Sequence, residues 1–248
     1  MTKKIGIIGG SGIYSIVDRE NSEKKTVNTP YGDSADVFLF KINDKDVVFL
    51  PRHKIGHKLP PSMINYRANI FALKELGVNQ IIATNSVGSL KKDNPPGSLI
   101  LPDDFIDFTY MRDKTFYDKE VVHTDFSQPY CNRLRDIISK NGDLVNKGVY
   151  VCSEGPRFET GAEVRMFQKL GGDIVGMTGL PEVVLAREKK ICYSSLSIVT
   201  NYSTSLSEDK LTMKELFEMM EVKKEEVIEI ILSSIKDTPL DYECDCLI

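Results

Sequence analysis

Ile5-Gly6-Ile7-Ile8-Gly9-Gly10-Ser11-Gly12 is an apolar run that ends on glycines, the pattern of a buried strand that turns sharply at its carboxyl end. Working outward, similar runs recur at Val37 to Lys41, Asp46 to Leu50, Gln80 to Thr84, Ser98 to Phe108, Gly148 to Cys152, Ile174 to Met177 and Ile191 to Thr200. Helical patterns lie between several of them. Met63 to Leu76 places Ile64, Ala68, Phe71, Ala72 and Leu76 on one face, and Gln128 to Asn141, Glu159 to Gly171 and Pro181 to Lys189 follow. The longest pattern, Thr212 to Ile235, opens with Glu215 three residues after Thr212, as a capping box does. Strands alternating with helices predict an α/β fold, a mixed central sheet flanked by helices. The expected organisation is a single domain over residues 1–248 with a polar tail from about residue 236 to 248.

Composition narrows the function. With 248 residues and 41% hydrophobic content the chain can bury one large core. The formal charge of -4 and the dispersal of Lys and Arg among acids argue against a nucleic-acid surface. No run of about 18 apolar residues is available to cross a bilayer, and Lys3-Lys4 leads into a segment too short and too rich in glycine for a secretory signal. A small-molecule protein of the cytoplasm is expected.

The five cysteines are an odd number, which favours reduced thiols. Cys131, Cys152 and Cys192 sit in ordinary segments. Cys244-Asp245-Cys246 on the tail reads as a pair of solvent-exposed free thiols without a role; a strained disulfide, a weak metal contact and a link between subunits are the alternatives. Two thiols alone make a poor metal site, and the spacing is not a zinc pattern.

Chemistry gathers where strands end. Gly9 to Gly12 allows backbone N–H groups to approach an anion, although a plain tight turn explains it equally and Gly10-x-Gly12 also begins a dinucleotide pattern. Pro51-Arg52-His53 places a permanent cation, a natural phosphate fork, and an imidazole at another strand end. His53 and His57 as two ligands of a metal lack the intervening Glu and a third partner, so no metal is expected and His57 reads as structural. Thr84-Asn85-Ser86-Val87-Gly88-Ser89 closes a strand with small polar residues that suit either a loop or an oxyanion. Taken together as strand ends, Ser11, Arg52, His53 and Ser86 would supply one anion pocket.

Cys152-Ser153-Glu154-Gly155-Pro156-Arg157-Phe158-Glu159-Thr160 and Thr200-Asn201-Tyr202 pair a carboxylate with a carboxamide. Glu159 only accepts, which suits the N1–H of a 6-oxopurine, whereas Asn201 donates to O6 and accepts from a protonated N7. Adenine presents the wrong pattern, a bare N1.

With these pieces in hand the chain resembles the trimeric purine nucleoside phosphorylase and methylthioadenosine phosphorylase family from Ile5 to about Ser234. The resemblance rests on Ile8 to Gly12, Pro51-Arg52-His53, Asn65 to Ile70, Gly88-Ser89-Leu90, Pro102 to Asp107, Glu154 to Thr160 and Gly176 to Glu182. It implies a partly barrel-like sheet, a homotrimer whose pairing into a hexamer is left open, and phosphorolysis of a purine nucleoside with inorganic phosphate as co-substrate and no cofactor. By the same resemblance Ser11, Arg52, His53, Asn85, Ser86 and Thr178 bind phosphate, Met177 holds the ribose, Phe158 packs on the purine, and Glu159 and Asn201 read the base and carry catalysis.

The departures matter as much. Family members that cleave methylthioadenosine carry a serine in place of Glu159, an aspartate in place of Asn201 and a second aspartate in place of Ser203, so this base pocket resembles that of an inosine or guanosine phosphorylase. Val184-Leu185-Ala186 and Asn65 to Ile70 lie nearer the methylthioadenosine branch. His123 corresponds to a histidine that this branch lends across the subunit interface to the 5'-substituent. Met213 and Phe217 align with apolar residues around the methylthio group, with core packing as the alternative. The expected substrate is S-methyl-5'-thioinosine; inosine, guanosine and methylthioadenosine are alternatives, and a non-catalytic nucleotide-binding module is the reading of a different class.

Overall fold

Alternating burial explains the first strand: Ile5 and Ile7 enter one core and Ile8 another, so the strand is apolar on both faces. The computed structural model describes residues 3–17, 21–207, 212–241 and 244–247, without the side chains of Ser11, Met213 and Leu247. The side-chain roles expected of Ser11 and Met213 therefore lie outside the described residues.

In chain order the strands are β1 (Lys4–Gly9), β2 (Glu23–Lys25), β3 (Asn28–Thr29), β4 (Gly32–Asp33), β5 (Val37–Ile42), β6 (Lys45–Pro51), β7 (Val78–Ser89), β8 (Leu99–Ile100), β9 (Asp104–Asp107), β10 (Val149–Cys152), β11 (Ile174–Gly176) and β12 (Cys192–Tyr202). The helices are α1 (Tyr66–Glu75), α2 (Asn132–Ser139), α3 (Gly161–Lys169), α4 (Glu182–Glu188) and α5 (Met213–Asp237). Among the described residues ten strands form one mixed sheet whose main path runs β2-β5-β6-β1-β7-β11-β10-β9.

The sheet forks along β7. Its first half pairs with β1, its last residues Gly88 and Ser89 pair antiparallel with β11, and its other edge pairs with β12 throughout. The partly barrel-like sheet is realised around this fork. Strands β1, β6, β7 and β12 run parallel, so their carboxyl ends open on one side, where α/β folds collect ligands.

Helix ends follow local chemistry. The Asn65 side chain caps α1 by accepting from Ala68 N–H. Thr160 with Glu163 and Thr212 with Glu215 complete capping boxes on α3 and α5. Helix α5 buries Met220, Val227, Ile230, Ile231 and Ile235, spaced by helical turns, against the Ile5 and Ile7 face of the sheet.

Three expectations change. Thr84 to Ser89 is not a loop: it continues β7, because β12 and β11 offer partners to its backbone. Ser98 to Phe108 divides into β8 and β9 around Pro102, which has no N–H to donate. The residues after α5 do not hang free, since Gln80 and Arg133 donate to the Pro239 carbonyl at 2.8 and 3.3 Å.

Candidate active site

The converging strand ends enclose a cavity of about 450 Å³. Arg52, His53, Ser86, Thr178, Phe158, Glu159, Met177, Asn201, Ser203 and Phe217 all line it, as does Gly10 of the first glycine turn. Residues from seven segments, remote in sequence, thus meet in one place. Two expected residues do not. Asn85 is buried behind the wall, and His123 stands exposed on a loop outside the cavity of its own chain.

At one end lies the candidate anion site, and its electrostatics differ from the expectation for Arg52. The guanidinium is buried and its fork is occupied by Glu182, Nε and Nη2 each donating to a carboxylate oxygen at 2.7 Å while Nη1 donates to Thr84 O at 2.8 Å. Burial alone lowers the proton affinity of Arg52, but the Glu182 charge more than offsets it. Two of the five N–H donors of a guanidinium remain, so Arg52 contributes directed donors and little net charge.

His53 is likewise neutral. Burial first, with the Arg52 charge assisting, depresses its pKa to about 4. Its Nδ1 lies 2.8 Å from the Leu59 carbonyl, which fixes the Nδ1–H tautomer and leaves Nε2 as an acceptor. The His57 ring stacks on it with centroids 4.1 Å apart and lines the cavity, so His57 belongs to the site rather than to the scaffold alone.

Asn85 acts from behind. Its Nδ2 donates to Thr178 Oγ1 at 2.7 Å, and Ser195 Oγ donates to its Oδ1. With that oxygen already accepting, the Thr178 hydroxyl hydrogen is free to point at an anion. In this structure Asn85, expected to contact phosphate, reaches the cavity only through Thr178.

Glu159 and Asn201, the pair expected to read the base, line the same cavity. Glu159 is buried, and Ser153 Oγ donates to its Oε1 at 2.6 Å. Burial raises its pKa, opposed by the Ser153 hydrogen bond. Asn201 accepts from the Thr200 hydroxyl at 2.8 Å and donates to Tyr202 O at 2.9 Å, keeping one N–H and one oxygen lone pair for another partner. Ser203 Oγ is buried and lacks a hydrogen-bond partner, a state that a polar ligand relieves.

Backbone form sets the place of Asn201. The β12 register shifts between Val199 and Asn201, a bulge at Thr200 that brings Asn201 opposite Gly88. A Cβ on Gly88 would sit 2.8 Å from Ser203 Oγ and 3.1 Å from Asn201 Nδ2, so only glycine lets the strand pass both groups. Leu216, Phe217 and Met220 of α5 add an apolar wall.

Arg112, which nothing in the sequence singled out, ties the loops together. It donates to Glu154 Oε1 at 3.0 Å and to the carbonyls of Glu154, Met177 and Leu180 at 2.7, 2.7 and 2.6 Å. The loop bearing Glu159 is thereby joined to the segment bearing Met177 and Thr178. Among the described residues no helix is long and apolar enough to cross a membrane.

Comparison with known proteins agrees with this geometry. Residues 4–236 match the model of the phosphorylase superfamily. The chain is 54% identical to a probable S-methyl-5'-thioinosine phosphorylase of Methanothermobacter thermautotrophicus, covering 98% of this chain and 87% of that one. It is 46% identical to a 6-oxopurine nucleoside phosphorylase of Pyrococcus furiosus, covering 98% and 96%. A crystal structure of methylthioadenosine phosphorylase from Schistosoma mansoni in complex with adenine superposes with a TM-score of 0.88 at 35% identity, covering 94% of this chain and 91% of that one. With the family model matched over residues 4–236 and relatives at 46% and 54% identity over nearly the whole chain, the chain belongs to the phosphorylase superfamily.

Proposed function

We propose that the protein cleaves 6-oxopurine nucleosides by phosphorolysis, S-methyl-5'-thioinosine foremost, releasing hypoxanthine and 5-methylthioribose 1-phosphate. The observation that carries this reading is the buried Glu159 in one cavity with Asn201 and the unpartnered Ser203 hydroxyl. A carboxylate there accepts from a purine N1–H and leaves an adenine N1 facing a second acceptor. The apolar wall of Leu216, Phe217 and Met220 supports a methylthio substituent at the 5'-position.

Phosphate attacks C1' as the glycosidic bond lengthens, so positive charge grows on the ribosyl ring and negative charge on the departing purine. The anion end suits monohydrogen phosphate: Thr178, Ser86 and the remaining Arg52 donors address its oxygens, and the bare Nε2 of His53 accepts its O–H. At the other end Asn201 donates to O6 and accepts from N7–H, stabilising charge where it develops. No protein nucleophile and no cofactor is required. His123, exposed on its own chain, fits a homotrimer in which it completes a neighbour's 5'-pocket.

Initial rates with S-methyl-5'-thioinosine, inosine, guanosine and methylthioadenosine, with and without phosphate, test the proposal. Free hypoxanthine should appear only with phosphate. Equal turnover of methylthioadenosine and S-methyl-5'-thioinosine would refute the base assignment, since a site with mispaired buried groups rejects the wrong ligand by about 10⁴-fold.

A further inference from the structure

Cys131 is the N-cap of α2, Cys192 is the first residue of β12, and Cys244 and Cys246 flank the start of the last turn, Asp245–Leu247. The fold brings all four sulfurs within 4.8 Å of one another. Cys244 and Cys246 are 3.1 Å apart, Cys131 and Cys244 3.5 Å, and Cys192 and Cys246 3.6 Å. The expectation of two exposed thiols without a role is therefore corrected: both are half-buried and packed on buried Cys131 and Cys192.

Sulfurs bound at about 2.3 Å around a tetrahedral zinc ion lie about 3.8 Å from each other, in the middle of the spacing found here. We propose that these four cysteines are a structural tetrathiolate site for a soft divalent cation, Zn²⁺ in the first instance, which fastens the C-terminal segment to the sheet.

The surroundings fit that use. Cys131 stands at a helix amino end, where the dipole favours a thiolate. An open groove of about 540 Å³, lined by Cys244 and Cys246 together with Arg133, Lys140, Asp136 and Asp245, gives a cation access to the sulfurs.

The site is separate from the catalytic cavity. Cys192 opens β12 and Asn201 lies nine residues further along it, about 30 Å away at about 3.3 Å per residue. Zinc here has no part in phosphorolysis and acts on stability alone.

Elemental analysis of the full-length protein after dialysis should find one zinc per chain. Metal-free protein titrated with Co²⁺ should develop the intense charge-transfer and visible bands of a tetrahedral cobalt thiolate. A Cys244→Ser/Cys246→Ser variant should lose both signals, and Cys131→Ser alone should weaken Co²⁺ binding by more than the roughly 10- to 100-fold that an outer-shell contact is worth. Removing the metal should lower the thermal midpoint and leave kcat/KM unchanged. Metal-free protein that ignores Co²⁺ overturns the proposal, whether thiol titration after anaerobic unfolding finds five free thiols or finds disulfides. Cobalt bands that persist in the double variant overturn it as well.

Discussion

Arg52 and Glu182 meet through two hydrogen bonds of 2.7 Å, with side chains only 1% and 3% exposed. The cation at the end of β6 is therefore matched by an anion from α4 before any phosphate arrives, and each charge depends on the other for its solvation.

Glu182→Ala should destabilise the protein by about 3–5 kcal/mol in urea unfolding, because it leaves a buried guanidinium unpaired. Replacing both residues by methionine should restore much of that stability without restoring activity. If Glu182→Ala unfolds at the wild-type urea concentration, the pair is not the buried couple described here.

Ser153 tunes Glu159. Recognition of a purine N1–H needs the carboxylate form, and burial already raises the Glu159 pKa, so kcat/KM should fall with decreasing pH above the ordinary carboxylate range. Ser153→Ala removes a hydrogen bond that favours the charged form. Its acid limb should move to higher pH while the rate at alkaline pH changes little. A profile that scales down uniformly would count against this tuning role.

His53 links pH to stability. The folded chain holds it neutral with a pKa of about 4 against an ordinary value of 6.5, so on acidification the unfolded chain takes up the proton first. Its contribution is intact above about pH 6.5 and is lost as the pH falls toward 4, by up to about 3 kcal/mol. Relative to wild type, His53→Phe should lose less stability across that window, as read from urea midpoints on either side of it, and should bind phosphate more weakly.

Asn201→Ala should lower kcat by about 10²- to 10³-fold, the usual consequence of deleting a donor aimed at developing charge. Phosphate KM should change little, since the proposal assigns the amide to the base and not to the phosphate. A loss confined to KM for the nucleoside would reduce Asn201 to ground-state binding.

Local pattern carried most of the architecture. Apolar runs bounded by glycine, proline or asparagine marked β1, β6 and β12, and Thr212 with Glu215 marked the start of α5. The short pairings β2 to β4 were missed because Glu23 to Asp33 is polar and has no alternation. In the site, Glu159, Asn201, Phe158 and Ser86, expected from motif and resemblance to stand together, line one cavity. Arg112 and Glu182 were not, because their meaning lies in contacts made 42 and 130 residues away. The cysteines failed for the same reason: Cys244-Asp245-Cys246 looks incomplete until the fold supplies Cys131 and Cys192 from 113 and 54 residues away.

One extra residue in β12 sets how the strand presents Asn201. Val199 stands opposite Val87 and Asn201 opposite Gly88, so deleting Thr200 would leave that pairing in place and close the bulge into a regular ladder, removing the local kink and twist that an extra residue brings. The shape of this part of the cavity wall is therefore held by a count of residues as much as by their identity.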